Sequence, residues 1–224
     1  MNISKLLIAL LALPCALSAS TLVDDQFNDN AIDTSIWSTS TPGTYSVLTE
    51  SGGYLTTTGR GTIVTTASIT GTYSINLSFS LLDADEIFTV SLRSNGSTAG
   101  SYYELYGVHV LFSSSTISIV NYDNSGANTI ATVNYTLTSG SYYSFTIVDT
   151  EDKISVLLNG TTIVYADTIV DMGNYVGFYS RENASSSATS IDYITITSVP
   201  EPSSYALVSG LGVLGFLALR RRRA

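Results

Sequence analysis

Carboxylates and tyrosines are the residues of this chain best suited to chemistry. Asp83 and Asp85 stand two apart, a spacing that on a strand projects both side chains from one face. With Glu86 they also read as a solvated acidic loop ahead of a strand at Ile87. Glu104 lies in Tyr103-Glu104-Leu105-Tyr106-Gly107-Val108 and reads alone as an exposed or rim strand residue. The single histidine, His109, shares a strand face with Tyr103, Leu105 and Leu111, so it reads as a packed or rim side chain rather than the base of a nucleophilic triad. One histidine and one cysteine, Cys15, are too few for a zinc site. Tyrosines offer more material. The doublets Tyr102-Tyr103 and Tyr142-Tyr143 put one ring on each face of a strand, and flat rings beside Asn and Asp can stack on sugar faces while polar groups bond hydroxyls. The alternative is that strands simply favour tyrosine. Tyr102, Tyr103, Glu104, Tyr106 and His109 form the candidate ligand-binding set, and Trp37 is expected in the core.

Alternation shows what must position these residues. In Tyr73–Leu81, YSINLSFSL, five apolar residues alternate strictly with Ser74, Asn76, Ser78 and Ser80, the pattern of a half-buried strand whose hydroxyl residues face solvent. The same pattern recurs at 22–27, 45–48, 54–57, 62–66, 87–93, 103–112, 117–122, 129–135, 143–148, 154–158, 162–165, 176–180 and 191–197. Turn clusters separate the segments, and Asn159-Gly160 between two apolar runs is a strong hairpin signal. About fourteen short strands without helical periodicity predict an all-β sandwich, with a barrel as the alternative.

The two ends differ from the body. Met1–Ser20 has one lysine, an apolar stretch from Leu6 to Leu17 and small residues at 18–20, the layout of a secretory signal peptide. Pro14 before Cys15 is a poor fit to a lipoprotein cleavage site, so Cys15 leaves with the signal and the mature chain has no disulfide. At the other end Pro200-Glu201-Pro202 precedes an apolar run and Arg220, Arg221, Arg222 and Arg223. The uncharged stretch Tyr205–Leu219 would reach roughly 22 Å as a helix, a marginal membrane span that Ser204 extends. Its G-x-G-x-x-G at Gly210, Gly212 and Gly215 lacks the preceding strand that a nucleotide site needs. The expected organisation is a signal peptide at 1–20, a sandwich domain at 21–198 and a tail at 199–224 with a transmembrane segment at 204–219. Residues 21–198 carry 17 acids against 4 bases, a net charge near −13. That excludes nucleic acid as a natural partner and suits a hard cation such as calcium.

The tail resembles the PEP-CTERM sorting signal, with all three parts, the Pro-Glu-Pro triplet, the Gly-containing apolar helix and the arginine cluster, in order. The resemblance implies recognition and cleavage by an exosortase, with signal peptidase acting on the N-terminal signal during export. It implies transient residence in the inner membrane and a final place at the cell surface or in the extracellular matrix. An ordinary single-span anchor is the alternative.

Several phrases of the body resemble the concanavalin A-like, laminin G-like jelly-roll families. Asp24-Asp25-Gln26-Phe27-Asn28-Asp29 followed by Ile32-Asp33-Thr34-Ser35-Ile36-Trp37 resembles their opening motif, and Lys153–Gly160 with its Asn-Gly turn resembles their paired strands. The resemblance implies a sandwich of two antiparallel sheets, flanked here by a signal helix and a transmembrane helix. Glucanases of this superfamily carry E-x-D-x-E on one strand, a spacing that sets an acid and a nucleophile across a glycosidic bond. Here Tyr106 and Val108 replace the second and third acids after Glu104, and Ile87 stands where Asp83 and Asp85 would need a third. The expected reading is therefore no enzyme but a carbohydrate-binding protein or a matrix or biofilm component, with a glycoside hydrolase as the alternative. The resemblance also implies a structural calcium joining the first and last strands. Asp192 alternates with Ile194 and Ile196 and so faces the core, with Asp25 and the Gly52-Gly53 turn as its other side. The alternative is a strand-end carboxylate that accepts backbone N–H bonds.

Overall fold

Fifteen strands occur in residues 19–41, 46–97, 106–167, 170–180 and 187–199, which the computed structural model describes. One sheet holds β1 (Thr21–Asp25), β3 (Val47–Ser51), β4 (Tyr54–Thr58), β6 (Tyr73–Leu81), β11 (Tyr143–Asp149), β12 (Ile154–Leu158), β13 (Thr161–Ala166) and β15 (Ser187–Ser198). The other holds β2 (Trp37–Ser40), β5 (Gly61–Thr65), β7 (Phe88–Ser94), β8 (Gly107–Phe112), β9 (Thr116–Asp123), β10 (Gly126–Asn134) and β14 (Tyr175–Ser180). The order is β13-β12-β11-β6-β15-β4-β3 in the first, with β1 also on β15, and β10-β9-β8-β7-β14-β5-β2 in the second. Strand pairing is antiparallel in both sheets.

Residues 21–198 form one compact unit whose core lies between the inner faces of the sheets. Tyr73, Ile75, Leu77, Phe79 and Leu81 all turn inward, as their alternation predicts. Phe79 of the eight-stranded sheet meets Phe88 and Phe112 of the seven-stranded sheet at centroid distances of 4.5 and 5.0 Å. Such tilted and edge-on ring pairs contribute about 1 kcal/mol each beyond their buried area. Asn159 and Gly160 both have positive φ, 51° and 76°, the two-residue turn that matches the twist of a hairpin and joins β12 to β13.

The opening motif has a local physical cause. Asp33 Oδ1 accepts hydrogen bonds from the Ser35 amide at 2.8 Å and hydroxyl at 2.7 Å, while the Ile36 and Trp37 amides bond the Asp33 carbonyl. These bonds hold the Asp33 carboxyl below its ordinary value, the Ser35 side chain contributing most. The turn delivers Trp37 into the core, edge-on to Phe178 with centroids 5.7 Å apart.

Four expectations need correction. The strand β2 was not predicted, because Trp-Ser-Thr-Ser carries one apolar residue and therefore no alternation. Glu86 is not in a solvated loop but 1% exposed, its Oε1 accepting a bond from Ser180 Oγ at 2.8 Å. Ser78 and Ser80 are buried too: Ser80 pairs with Ser190, whose hydroxyl bonds that of Tyr142 at 2.7 Å. Finally, a bulge between Ile191 and Tyr193 interrupts the alternation at Asp192, so period two does not carry the core-facing direction of Ile194 back to it. The signal helix, the transmembrane helix and residues 103–105 of the predicted 103–112 strand lie outside the described residues.

Candidate functional site

The face of the seven-stranded sheet turned away from the core gathers polar and aromatic side chains that are themselves buried, Thr89, Ser91, His109, Tyr122 and Tyr179 among them. In β7, Phe88, Val90 and Leu92 point into the core, which puts Thr89 and Ser91 on the opposite face. In β8, Val108, Val110 and Phe112 point inward, and His109 and Leu111 outward. In β9, Ile117 and Ile119 point inward, and Val120 and Tyr122 outward. Pairing sets His109 between Ser91 and Val120, and Thr89 between Leu111 and Tyr179 of β14.

Aromatic rings line one side of this face. His109 stacks on Tyr122 with centroids 5.2 Å apart and planes within 4°, and Tyr106 stacks on the same ring at 6.4 Å and 20°. Tyr122, Tyr179 and Tyr106 form a second apolar cluster separate from the main core. Thr89 and Ser91 are 1% and 0% exposed, and among the described residues neither Thr89 Oγ1 nor Ser91 Oγ has a hydrogen-bond partner. Leaving a buried hydroxyl unpaired costs about 1–3 kcal/mol, so two side by side mark a place where an incoming polar group gains.

The structure thus joins Tyr106 and His109, two of the predicted ligand residues, through Tyr122. Tyr102, Tyr103 and Glu104 lie outside the described residues. Tyr122, Tyr179, Thr89 and Ser91 went unpredicted. Their signal was present in sequence as residues out of phase with the core positions of their strands, but only the register brings them together.

Asp25 and Asp192 have separate surroundings. Asp25 Oδ2 accepts the Trp37 Nε1 bond at 2.7 Å and Oδ1 the Phe27 amide at 2.9 Å. Asp192 instead acts on Tyr142, whose hydroxyl is pushed up chiefly by burial, with Tyr54 and Asp192 adding repulsion. Glu50, at the end of β3, is 7% exposed and receives the Asp29 amide on Oε1 at 3.3 Å, while Oε2 has no partner among the described residues. Burial raises its carboxyl above the ordinary value, and Asp29 and then Asp25 raise it further. Among the described residues no group of three or more His, Cys, Asp or Glu is placed to hold a metal ion.

Comparison with known proteins bears on the fold and on the C-terminal tail. No curated protein sequence matches the chain. A Bacillus subtilis protein of unknown function with a galectin-like fold superposes with a TM-score of 0.62 at 12% identity, over 80% of this chain and 97% of that one. The Bacillus licheniformis β-glucanase gives 0.59 at 11% identity, over 81% and 99%. The exoplasmic/lumenal domain of VIP36, in its Ca2+/Man3GlcNAc-bound form, gives 0.56 at 13%, over 75% and 87%. These likenesses show the fold, a concanavalin A-like jelly roll. The PEP-CTERM protein-sorting motif matches residues 198–223, a segment outside the described residues except at its first two positions. The described residues therefore form an all-β jelly-roll sandwich, and the chain carries a PEP-CTERM sorting motif.

Proposed function

We propose that this protein is exported, processed by an exosortase at the Pro200-Glu201-Pro202 region, and placed at the cell surface or in the extracellular matrix, where its sandwich binds carbohydrate. The sorting half of the reading rests on the motif at residues 198–223. The binding half rests on one observation: two buried, unpartnered hydroxyls, Thr89 Oγ1 and Ser91 Oγ, beside the ring stack of Tyr106, Tyr122 and His109. Rings match the apolar face of a pyranose, and hydroxyls bond its oxygens. The jelly-roll neighbours include a glucanase and a mannoside-bound domain, which makes a polysaccharide or glycan the natural ligand class.

We read the domain as non-catalytic, because Tyr106 and Val108 stand where a glucanase-like strand would carry acids after Glu104. A structural calcium would require Asp25 to share the carboxylate that already serves Trp37, or Asp192 to be joined by backbone carbonyls. No part of the binding reading depends on it.

The test uses Ser91→Ala and Thr89→Val. Each removes an unpartnered hydroxyl, so each should leave the free protein as stable as before or more so, while weakening glycan binding about tenfold. Unchanged binding in both variants would refute the assignment of this face. Release of reducing sugar from β-glucan or galactan, abolished by Glu104→Gln, would refute the non-catalytic reading.

A further inference from the structure

At the end of the sandwich where β6 begins and β7 and β11 finish, a cavity of about 270 Å³ opens to solvent. Its deep wall is an ion pair between the two sheets. Arg93, φ 49°, leaves the β7 alternation in a left-handed conformation, and its guanidinium reaches Asp149 of β11. Nε donates to Asp149 Oδ2 at 2.9 Å and Nη2 to Oδ1, which also accepts the Glu151 amide at 3.0 Å. The buried Tyr73 faces the same carboxylate, and its hydroxyl is pushed well above its ordinary value, first by burial and then by Asp149. Asp149, 1% exposed, is held by these three bonds, in which Arg93 Nη1 takes no part. Around the mouth stand Glu151, Asp171 and Asn174, all exposed.

We infer that this cavity is a second, independent polyol site that takes one neutral or amino-bearing sugar ring. The volume suits a single pyranose and falls below that of drug-sized pockets. The lining pairs a fixed donor, the outer edge of Arg93, with carboxylate acceptors on Glu151 and Asp171. Neighbouring sugar hydroxyls both accept and donate, so one ring can bridge the two kinds of group. Three acids against one base leave the lining negative, which disfavours uronic and other acidic sugars. The side chains are distinct from those of the sheet face, so the inference does not rest on that binding reading.

The full chain, purified in a detergent without a sugar headgroup, is titrated by ligand-observed NMR with methyl glucoside, galactoside, mannoside and glucosaminide, and with methyl galacturonoside. The variants are Glu151→Gln/Asp171→Asn, on the exposed rim and each keeping an acceptor oxygen, and Ser91→Ala on the sheet face. Saturable binding of a neutral or amino glycoside, weakened about tenfold or more by the rim double variant, supports the site. Absence of saturable binding by every neutral and amino glycoside overturns it. So does binding that the rim variant leaves within about threefold of wild type; if Ser91→Ala then removes it, the sugar belongs to the sheet face and that reading stands. A galacturonoside that binds more tightly than the neutral sugars also overturns the assignment.

Discussion

Replacing Arg93 by alanine should destabilise the protein more than replacing its partner Asp149. The asymmetry follows from burial. Without Arg93, Asp149 remains a 1% exposed carboxylate held by the Glu151 amide. Removing one partner of a buried pair costs about 3–5 kcal/mol. Without Asp149, the Arg93 side chain is still 14% exposed and has Asp171 nearby, so the loss should fall to about 1–3 kcal/mol. The double variant, which leaves no orphaned charge, should cost less than the sum of the singles by about 1–3 kcal/mol. Trp37 is the only tryptophan and is 1% exposed in the sandwich interior, so its fluorescence reports urea unfolding. With a slope of about 2 kcal/mol per molar, Arg93→Ala should lower the midpoint by about 2 M. An Arg93→Ala effect no larger than that of Asp149→Ala, or strict additivity in the double variant, would refute the reasoning.

Four further outcomes are expected. Glu50 titrates higher in the folded protein than in the unfolded chain, so its contribution is full below the unfolded value and is lost as pH rises through the folded one. Glu50→Gln should therefore raise the melting temperature at pH 7, the gain vanishing near pH 4; a gain that grows toward acid pH would contradict this. Gly107, φ 151°, would bring an added Cβ within 2.5 Å of the Leu92 carbonyl oxygen, a backbone atom that cannot yield. Gly107→Ala should cost about 2 kcal/mol or more in urea unfolding. Asp25→Ala should lower the melting temperature equally in millimolar calcium and in chelator, because it removes the Trp37 bond in both; a calcium-dependent difference would restore a metal role to Asp25. Intact-mass measurement on cells that have an exosortase should find mature protein lacking Arg220 to Arg223, and their retention would contradict sorting by the tail motif.

Strands such as Tyr73–Leu81 and Ile154–Leu158 were legible to the residue, because alternation of Ile, Leu and Phe with hydroxyl residues leaves one face for the core. The Asn159-Gly160 turn was equally plain, since few other residues accept positive φ twice in succession. What stayed hidden depends on register. Nothing in the local sequence tells that Ser91 lies beside His109, or that Arg93 crosses the sandwich to reach Asp149, 56 residues later. Glu86 was misread because an acidic turn resembles any other until a distant hydroxyl, that of Ser180, is found against it. The bulge at Asp192 was hidden as well, since an extra residue in a strand leaves no compositional trace.

The central claim, that the sheet face beyond the core binds carbohydrate, is tested most directly by a glycan array probed with the wild-type chain and with Ser91→Ala. The account predicts saturable binding of the wild type to at least one neutral glycan class and about tenfold weaker binding by the variant, with thermal stability equal or higher. Absence of binding across the array, or identical binding by the two proteins, would contradict it.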